Sequence, residues 1–192
     1  MGSLDKAEEA ALIAEIVGGE TEKFRRLVEV YQEVSLALVM TVVKDPAEAE
    51  DALQEAFVKA FRGLGRFRAE ASFATWLYRI VINTAYTAAE RARRHRKRFV
   101  EVPAEDLATE EVPWRGTEEE ERSRRIREVL DRLKPREAMV LRLYYLAEQS
   151  VPEIAEVMRQ TPGNVKVMLH RARKAFGEEL EAHLGAEKFE LL

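Results

Sequence analysis

The stretch Ser150 to Phe176, SVPEIAEVMRQTPGNVKVMLHRARKAF, admits few folds. Ser150 with Glu153 three residues later has the spacing of a capping box, and Ile154, Ala155 and Met158 give the helix that follows one apolar face. Thr161-Pro162 restarts the chain with an N-cap hydroxyl and a proline at the first helical position, where no N–H is needed. Val165, Leu169, Ala172, Phe176 and Leu180 then form the buried stripe of a second helix. Its opposite face carries Gly163, Lys166, Val167, His170, Arg171 and Lys174. Two helices, a tight turn and a basic outward face suit a major groove. Residues 159–174 hold five basic side chains and no acidic one, with Arg173 adding to the charge of Lys166, Arg171 and Lys174. The N–H groups at 162–164 can approach a phosphate. Val167 lies about 200° around an ideal helix from Val165, so it points outward, where a valine suits a thymine methyl. An ordinary surface helix with a solvated basic face is the plainer alternative; the paired caps and the turn favour helix-turn-helix.

The net charge of −4 hides a strong pattern. Residues 45–55 carry five acidic and no basic side chains, and 66–98 carry nine basic and two acidic. Residues 99–121 hold nine acidic and one basic. Such blocks matter more than the sum for a polyanionic partner. No apolar run approaches the length of a membrane span, and the N-terminus lacks a basic-then-apolar leader pattern. Cysteine is absent and the three histidines are scattered, so a zinc site lacks its ligands.

No convincing strand appears, and the chain reads as all-α. A helix over 4–17 ends at Gly18-Gly19, and Thr21 is placed to cap a helix over 22–44 with a core stripe of Phe24, Leu27, Val28, Tyr31, Val34 and Leu38. Asp45-Pro46 opens a helix over 46–62. Ala49, Ala52, Leu53, Ala56, Phe57 and Ala60 lie on one side, with Phe61 at the edge. Asp51, Gln54, Glu55, Val58, Lys59 and Arg62 lie on the other, and spacing does not separate a docking surface from a solvated face. After Leu64-Gly65 a loop leads to Ser72, which caps a helix over 73–98. Phe73, Leu77, Ile80, Val81 and Thr84 face its core. Trp76, Arg79, Asn83 and Tyr86 form a second stripe able to stack and hydrogen-bond unpaired bases; equally, Trp76 and Tyr86 would bridge two packed helices. The helix ends in RARRHRKR, suited to phosphates.

Pro103, Pro113 and Gly116 mark residues 99–116 as an acidic, flexible linker. It divides two small helical domains, 1–98 and 117–182, and leaves a tail over 183–192. In the second domain Thr117 and Glu120 make another capping box. Ile126, Val129, Leu130 and Leu133 form one stripe, and Met139, Val140, Leu143 and Tyr144 the next.

Three stretches in this order resemble the extracytoplasmic-function (group 4) sigma factors of the bacterial sigma-70 family. DPAEAEDALQEAFVKAFRGLGRF (45–67) is similar to region 2.2, and FRAEASFATWLYRIVINTAYTAAERARR (67–94) to regions 2.3–2.4. LDRLKPREAMVLRLYYLAEQSVPEIAEVMRQTPGNVKVMLHRARKAF (130–176) is similar to region 4. The resemblance covers about 20–182. It implies a cytoplasmic specificity subunit, not an enzyme, that needs no cofactor or metal and binds core RNA polymerase and promoter DNA. The helix over 46–62 would meet the clamp helices of the polymerase largest subunit through Asp51, Gln54, Glu55 and Lys59, with the polymerase flap a second contact. Phe67, Arg68 and Ser72 would shape a pocket for a flipped −10 base beside Trp76, Arg79 and Asn83. Lys166, Val167, His170, Arg171 and Lys174 would read the −35 element. The linker would run through the polymerase cleft. Many members of the family are held by an anti-sigma factor, which the resemblance adds as a partner class. This chain has VKVMLHRAR where the family commonly has VKSRLHRAR, so Val167 alters the −35 preference it would carry, while Met168 lies toward the core side of the helix, where the lost charge matters less.

Two other function classes compete. A stand-alone helix-turn-helix regulator accounts for 150–176 and leaves 45–94 without a task. A phosphodiester-processing enzyme would need clustered carboxylates for metal, but the acids of 45–55 are spread around a helix start, and neither HExxH nor a P-loop pattern occurs.

Overall fold

Local capping chemistry sets most of the helix boundaries. The computed structural model describes residues 4–98 and 117–184, so the linker 99–116 and the tail from 185 lie outside the described residues. Eight α-helices and no strand occur among the described residues: α1 Lys6–Val17, α2 Phe24–Met40, α3 Pro46–Gly63, α4 Phe73–Arg98, α5 Glu118–Arg132, α6 Pro135–Tyr145, α7 Val151–Met158 and α8 Pro162–Leu184. The Asp45 carboxylate accepts the Glu48 N–H at 2.8 Å, with Pro46 opening α3. Thr117 with Glu120 and Ser150 with Glu153 form complete capping boxes, so each places one orphan donor on a side chain at both partners. The Thr161 hydroxyl accepts the Asn164 N–H at 3.2 Å.

Two boundaries differ from the expectation. Thr21 begins a short 3-10 turn, Thr21–Lys23, and its side chain caps nothing. Lys23, whose Nζ reaches Glu15 and Glu20 at 3.0 and 2.8 Å, holds that turn against the end of α1 instead. α2 stops at Met40, short of residue 44. The turn from α7 to α8 carries no glycine, yet Arg159 takes φ 53°, the left-handed conformation. The Gln160 N–H then closes back on the Ala155 carbonyl at 2.8 Å, which satisfies the end of α7.

α2, α3 and α4 pack around Leu27, Leu38, Ala56, Ala60, Leu77 and Val81, all at or near zero exposure. The run of alanines on α3 lets α4 approach closely along its length. An aromatic cluster closes one end: Phe73 lies 5.4 Å from Tyr31, 5.8 Å from Phe67 and 5.6 Å from Trp76, ring centre to ring centre. Tyr31, whose hydroxyl bonds the Glu9 carboxylate, ties α1 to it; burial pushes that phenol above its ordinary range. In the second group, Val129, Met139, Val140, Leu143, Ile154, Val165, Leu169 and Ala172 are buried between α5, α6, α7 and α8. Ile126, expected in that core, is 36 % exposed because α5 packs only through its C-terminal half.

The two helical groups also touch each other, and their apolar residues form one continuous cluster. α7 lies against α4, and α6 lies against the end of α2.

Candidate nucleic-acid interface

The outward face of α8 forms as its periodicity requires. Lys166, Val167, His170, Arg171 and Lys174 are all exposed, while Val165 and Leu169, on the opposite side, are buried. Val167 is 46 % exposed among these cations. Arg173 is exposed too and also packs within the fold. Its guanidinium lies 5.1 Å from the Tyr144 ring centre and 5.6 Å from that of Tyr145, and its Nε donates to the Tyr145 hydroxyl at 2.9 Å. It therefore braces α6 against α8 while keeping its charge at the surface. Met168 is half-buried against the core.

The stripe on α4 is placed by the aromatic cluster beneath it. Trp76 is half-buried, 5.3 Å from Phe67 and 5.6 Å from Phe73. A Cβ at Gly63, the end of α3, would lie 3.2 Å from the Trp76 ring, so a side chain there would press on that ring. Of the two outcomes spacing allowed, Trp76 takes the packed one, whereas Tyr86 is 44 % exposed. Arg68 and Asn83 are exposed, and Phe67 is half-buried at the loop start. Ser72 caps α4 by accepting the Thr75 N–H at 3.1 Å. Ala69, in the same loop, takes φ 54° and turns the chain between Phe67 and Ser72.

Ser72, Thr75 and Arg79, at the cap and in the first turns of α4, are engaged by the second helical group. The Arg79 guanidinium pairs with Glu156 at 3.2 Å, Ser72 lies 3.3 Å from the Glu153 carboxylate, and the Thr75 hydroxyl donates to the Gln149 carbonyl oxygen at 2.9 Å. Asn83 and Tyr86 share a cleft of about 800 Å³ with Met139, Met158, Met168 and Arg171. One −10 candidate, Asn83, and one −35 candidate, Arg171, thus line one opening.

On α3, Asp51, Gln54 and Lys59 are exposed and Glu55 is half-buried. Glu55 is braced by Lys59 at 2.7 Å and Arg91 at 3.0 Å; the Lys59 ammonium, followed by the Arg91 guanidinium, holds its carboxyl below the usual range. Asp51 has no ion-pair partner among the described residues. The basic end of α4 is less free than its sequence suggests. Arg93 and Arg94 both bind Glu90, which they push down to about 2, and Arg91 belongs to Glu55.

Sequence reasoning missed Arg142. It is 4 % exposed, and it donates to the Thr41 hydroxyl at 2.8 Å and to Asp131 at 2.9 Å. An arginine inside the apolar run AMVLRLYY was the available signal, since a cation at a buried register needs a partner. Thr75 and Gln149, both buried, carried no such signal. No described helix is long and apolar enough to cross a membrane.

Comparison with known proteins agrees with this layout. Residues 27–95 match the family described as Sigma-70 region 2, and residues 123–176 match Sigma-70, region 4. The chain is 34% identical over 187 residues to the RNA polymerase sigma-H factor of Pseudomonas aeruginosa, covering 93% of this chain and 96% of that one. It is 30% identical over 185 residues to the ECF RNA polymerase sigma-E factor of Escherichia coli K12, covering 92% and 96%. A solved structure of the sigma factor RpoE with the anti-sigma factor NepR from Bartonella quintana is similar in fold: the TM-score is 0.67 at 18% identity, over 84% of this chain and 99% of that one.

Proposed function

Because the chain belongs to the extracytoplasmic-function sigma factors of the sigma-70 family, we propose that its exposed faces divide the labour of promoter recognition as follows. The protein binds core RNA polymerase and directs promoter-specific initiation in the cytoplasm. Nucleotide transfer stays with the polymerase. Residues 1–98 form the unit that docks on polymerase and handles the −10 element, and 117–182 form the unit that reads the −35 element. Asp51, Gln54, Glu55 and Lys59 meet the clamp helices, and Phe67, Arg68, Ser72, Trp76, Arg79 and Asn83 hold the opened −10 strand. Lys166, Val167, His170, Arg171 and Lys174 enter the −35 major groove, and an anti-sigma factor is a fitting partner.

The observation that carries this reading is the α8 face: five residues chosen by periodicity are all exposed, on the second helix of a helix-turn-helix. The physical task is modest for each module. Unstacking and flipping a base costs a few kcal/mol, which stacking and edge hydrogen bonds offset. Two weak contacts on one chain reinforce each other through effective concentration.

Arg171→Ala tests the face. Run-off transcription by core polymerase with this variant should fall by about 1–3 kcal/mol in promoter free energy if Arg171 contacts a base, and only on templates carrying the −35 element. Equal losses on templates with and without that element would contradict a base contact.

A further inference from the structure

We propose that the cleft lined by Tyr86 of α4 and Arg171 of α8 is a nucleotide-binding site of the free protein. It takes a nucleoside that carries two or more phosphates, with the base inward and the phosphates outward. The site is a function beyond promoter recognition and does not depend on the −10 and −35 assignments.

The lining divides into two chemistries. Met139, Met158 and Met168 supply an apolar floor, and the unbranched, polarisable thioether of methionine adapts to a flat ring system. Beside them Tyr86 is 44 % exposed. Neither its hydroxyl nor the Asn83 side-chain amide, one turn earlier, has a hydrogen-bond partner among the described residues. An aromatic face next to a free amide is what stacking and edge hydrogen bonds to a base require. The charged part of the lining is Lys134, Arg136, Arg159 and Arg171. All four are exposed, and none has an ion-pair partner among the described residues. Glu137 is the one carboxylate that joins them at the cleft, in a chain whose net charge is −4. Local cation excess of this kind attracts an anion whatever the sign of the whole.

Size and charge choose among anionic ligands. A volume of about 800 Å³ falls within the ~300–1,000 Å³ of small-molecule sites. A fatty acid would bring one charge to four cations, and inorganic polyphosphate would leave the methionine floor wet. An acidic helix would need a groove continued along its length, whereas residues on or flanking four helices bound this one. A nucleotide satisfies both chemistries at once. Its base covers the thioethers and the tyrosine, and its phosphates accept charge-assisted hydrogen bonds from guanidinium groups, whose planar forks match phosphate oxygens. Bound there, it covers Asn83 and Arg171 and so competes with DNA for both.

Isothermal titration of the full-length protein with ATP and with GTP, without magnesium so that the phosphates keep their full charge, should show saturable one-to-one binding. Tripolyphosphate has the phosphates without a base, and adenosine has the base without phosphates. Each should bind about tenfold more weakly than ATP, or worse, because each lacks one of the two chemistries. Tyr86→Ala and Arg136→Glu should each weaken ATP binding about tenfold or more. Both positions are exposed, so the fold should survive, and an unchanged thermal melt checks it. Arg66→Glu, which removes an exposed cation outside the cleft, should leave the affinity as it was. No saturable binding would overturn the nucleotide site. Tripolyphosphate as tight as ATP, or equal losses with Arg66→Glu and Arg136→Glu, would reduce it to unspecific anion attraction and overturn it too. Polyglutamate that binds through Tyr86 and Arg136 where ATP does not would give the cleft to an acidic polypeptide, again against the proposal. Neither Tyr86 nor Arg136 is assigned to polymerase or promoter, so every one of these outcomes leaves the sigma-factor reading to its own test.

Discussion

Phe73→Ala should destabilise the protein by about 3–5 kcal/mol, the range for removing a large buried aromatic. Total stabilities run roughly 5–15 kcal/mol, so this loss removes a large part of the margin. Phe73 is 1 % exposed and opens α4 directly after its cap. Its ring touches Tyr31 from α2, Phe67 from the loop and Trp76 one turn along. A cavity there cannot be filled by backbone collapse without dragging the Ser72 cap and the Phe67 loop inward. Urea unfolding should show a lower midpoint at an unchanged slope. Trp76 emission, read in a Trp114→Phe background, should shift to longer wavelength as its packing loosens. Phe73→Leu keeps most of the volume and should cost less than about 1.5 kcal/mol. The prediction reaches function as well, because the same three rings place the loop and Trp76 that are proposed to hold the −10 base.

Asp51→Lys should weaken binding to core polymerase by about 2–5 kcal/mol at low salt, if α3 meets a basic partner, since a like-charge contact in an interface costs several kcal/mol. Asp51 is the right lever among the α3 carboxylates. Glu55 is already held by Lys59 and Arg91, so much of its charge is spent inside the molecule, whereas Asp51 has no ion-pair partner among the described residues. It is exposed and away from the alanine face, so the fold should survive the change. The loss should shrink as salt rises, because exposed charges are screened over about 10 Å at 0.1 M. Titration of fluorescent protein with core polymerase at two salt concentrations measures both effects. Equal affinity for both proteins at low salt would move the contact off this face.

What could be read from the sequence was what depends on near neighbours. Asp45, Thr117, Ser150 and Thr161 cap helices because the acceptor and the orphan N–H lie within three residues of each other. Buried stripes such as Val165, Leu169 and Ala172 follow from helical period alone. The misses are non-local. Thr21 looked like a cap, but Lys23 and two glutamates fix a 3-10 turn there. The contact of Arg173 with two tyrosines of α6 had no signal in the periodicity of α8. Glu90 absorbs two arginines that a charge count assigns to phosphate. Nothing in the periodicity of α7 tells that Glu156 meets Arg79, 77 residues away. For the candidate site, the α8 face was legible because it is a single helix face. The α3 face gained its meaning from family resemblance, since a solvated face and a docking face have the same spacing.

On this reading the chain gives core polymerase a promoter specificity that core lacks. The most direct measurement is transcription of the source organism's genomic DNA by purified core polymerase, with and without the protein, followed by mapping of RNA 5′ ends. A discrete set of start sites should appear only with the protein, preceded by one pair of sequence elements at constant spacing near −35 and −10. A folded protein that adds no start sites to those of core alone would rule out a role as the specificity subunit.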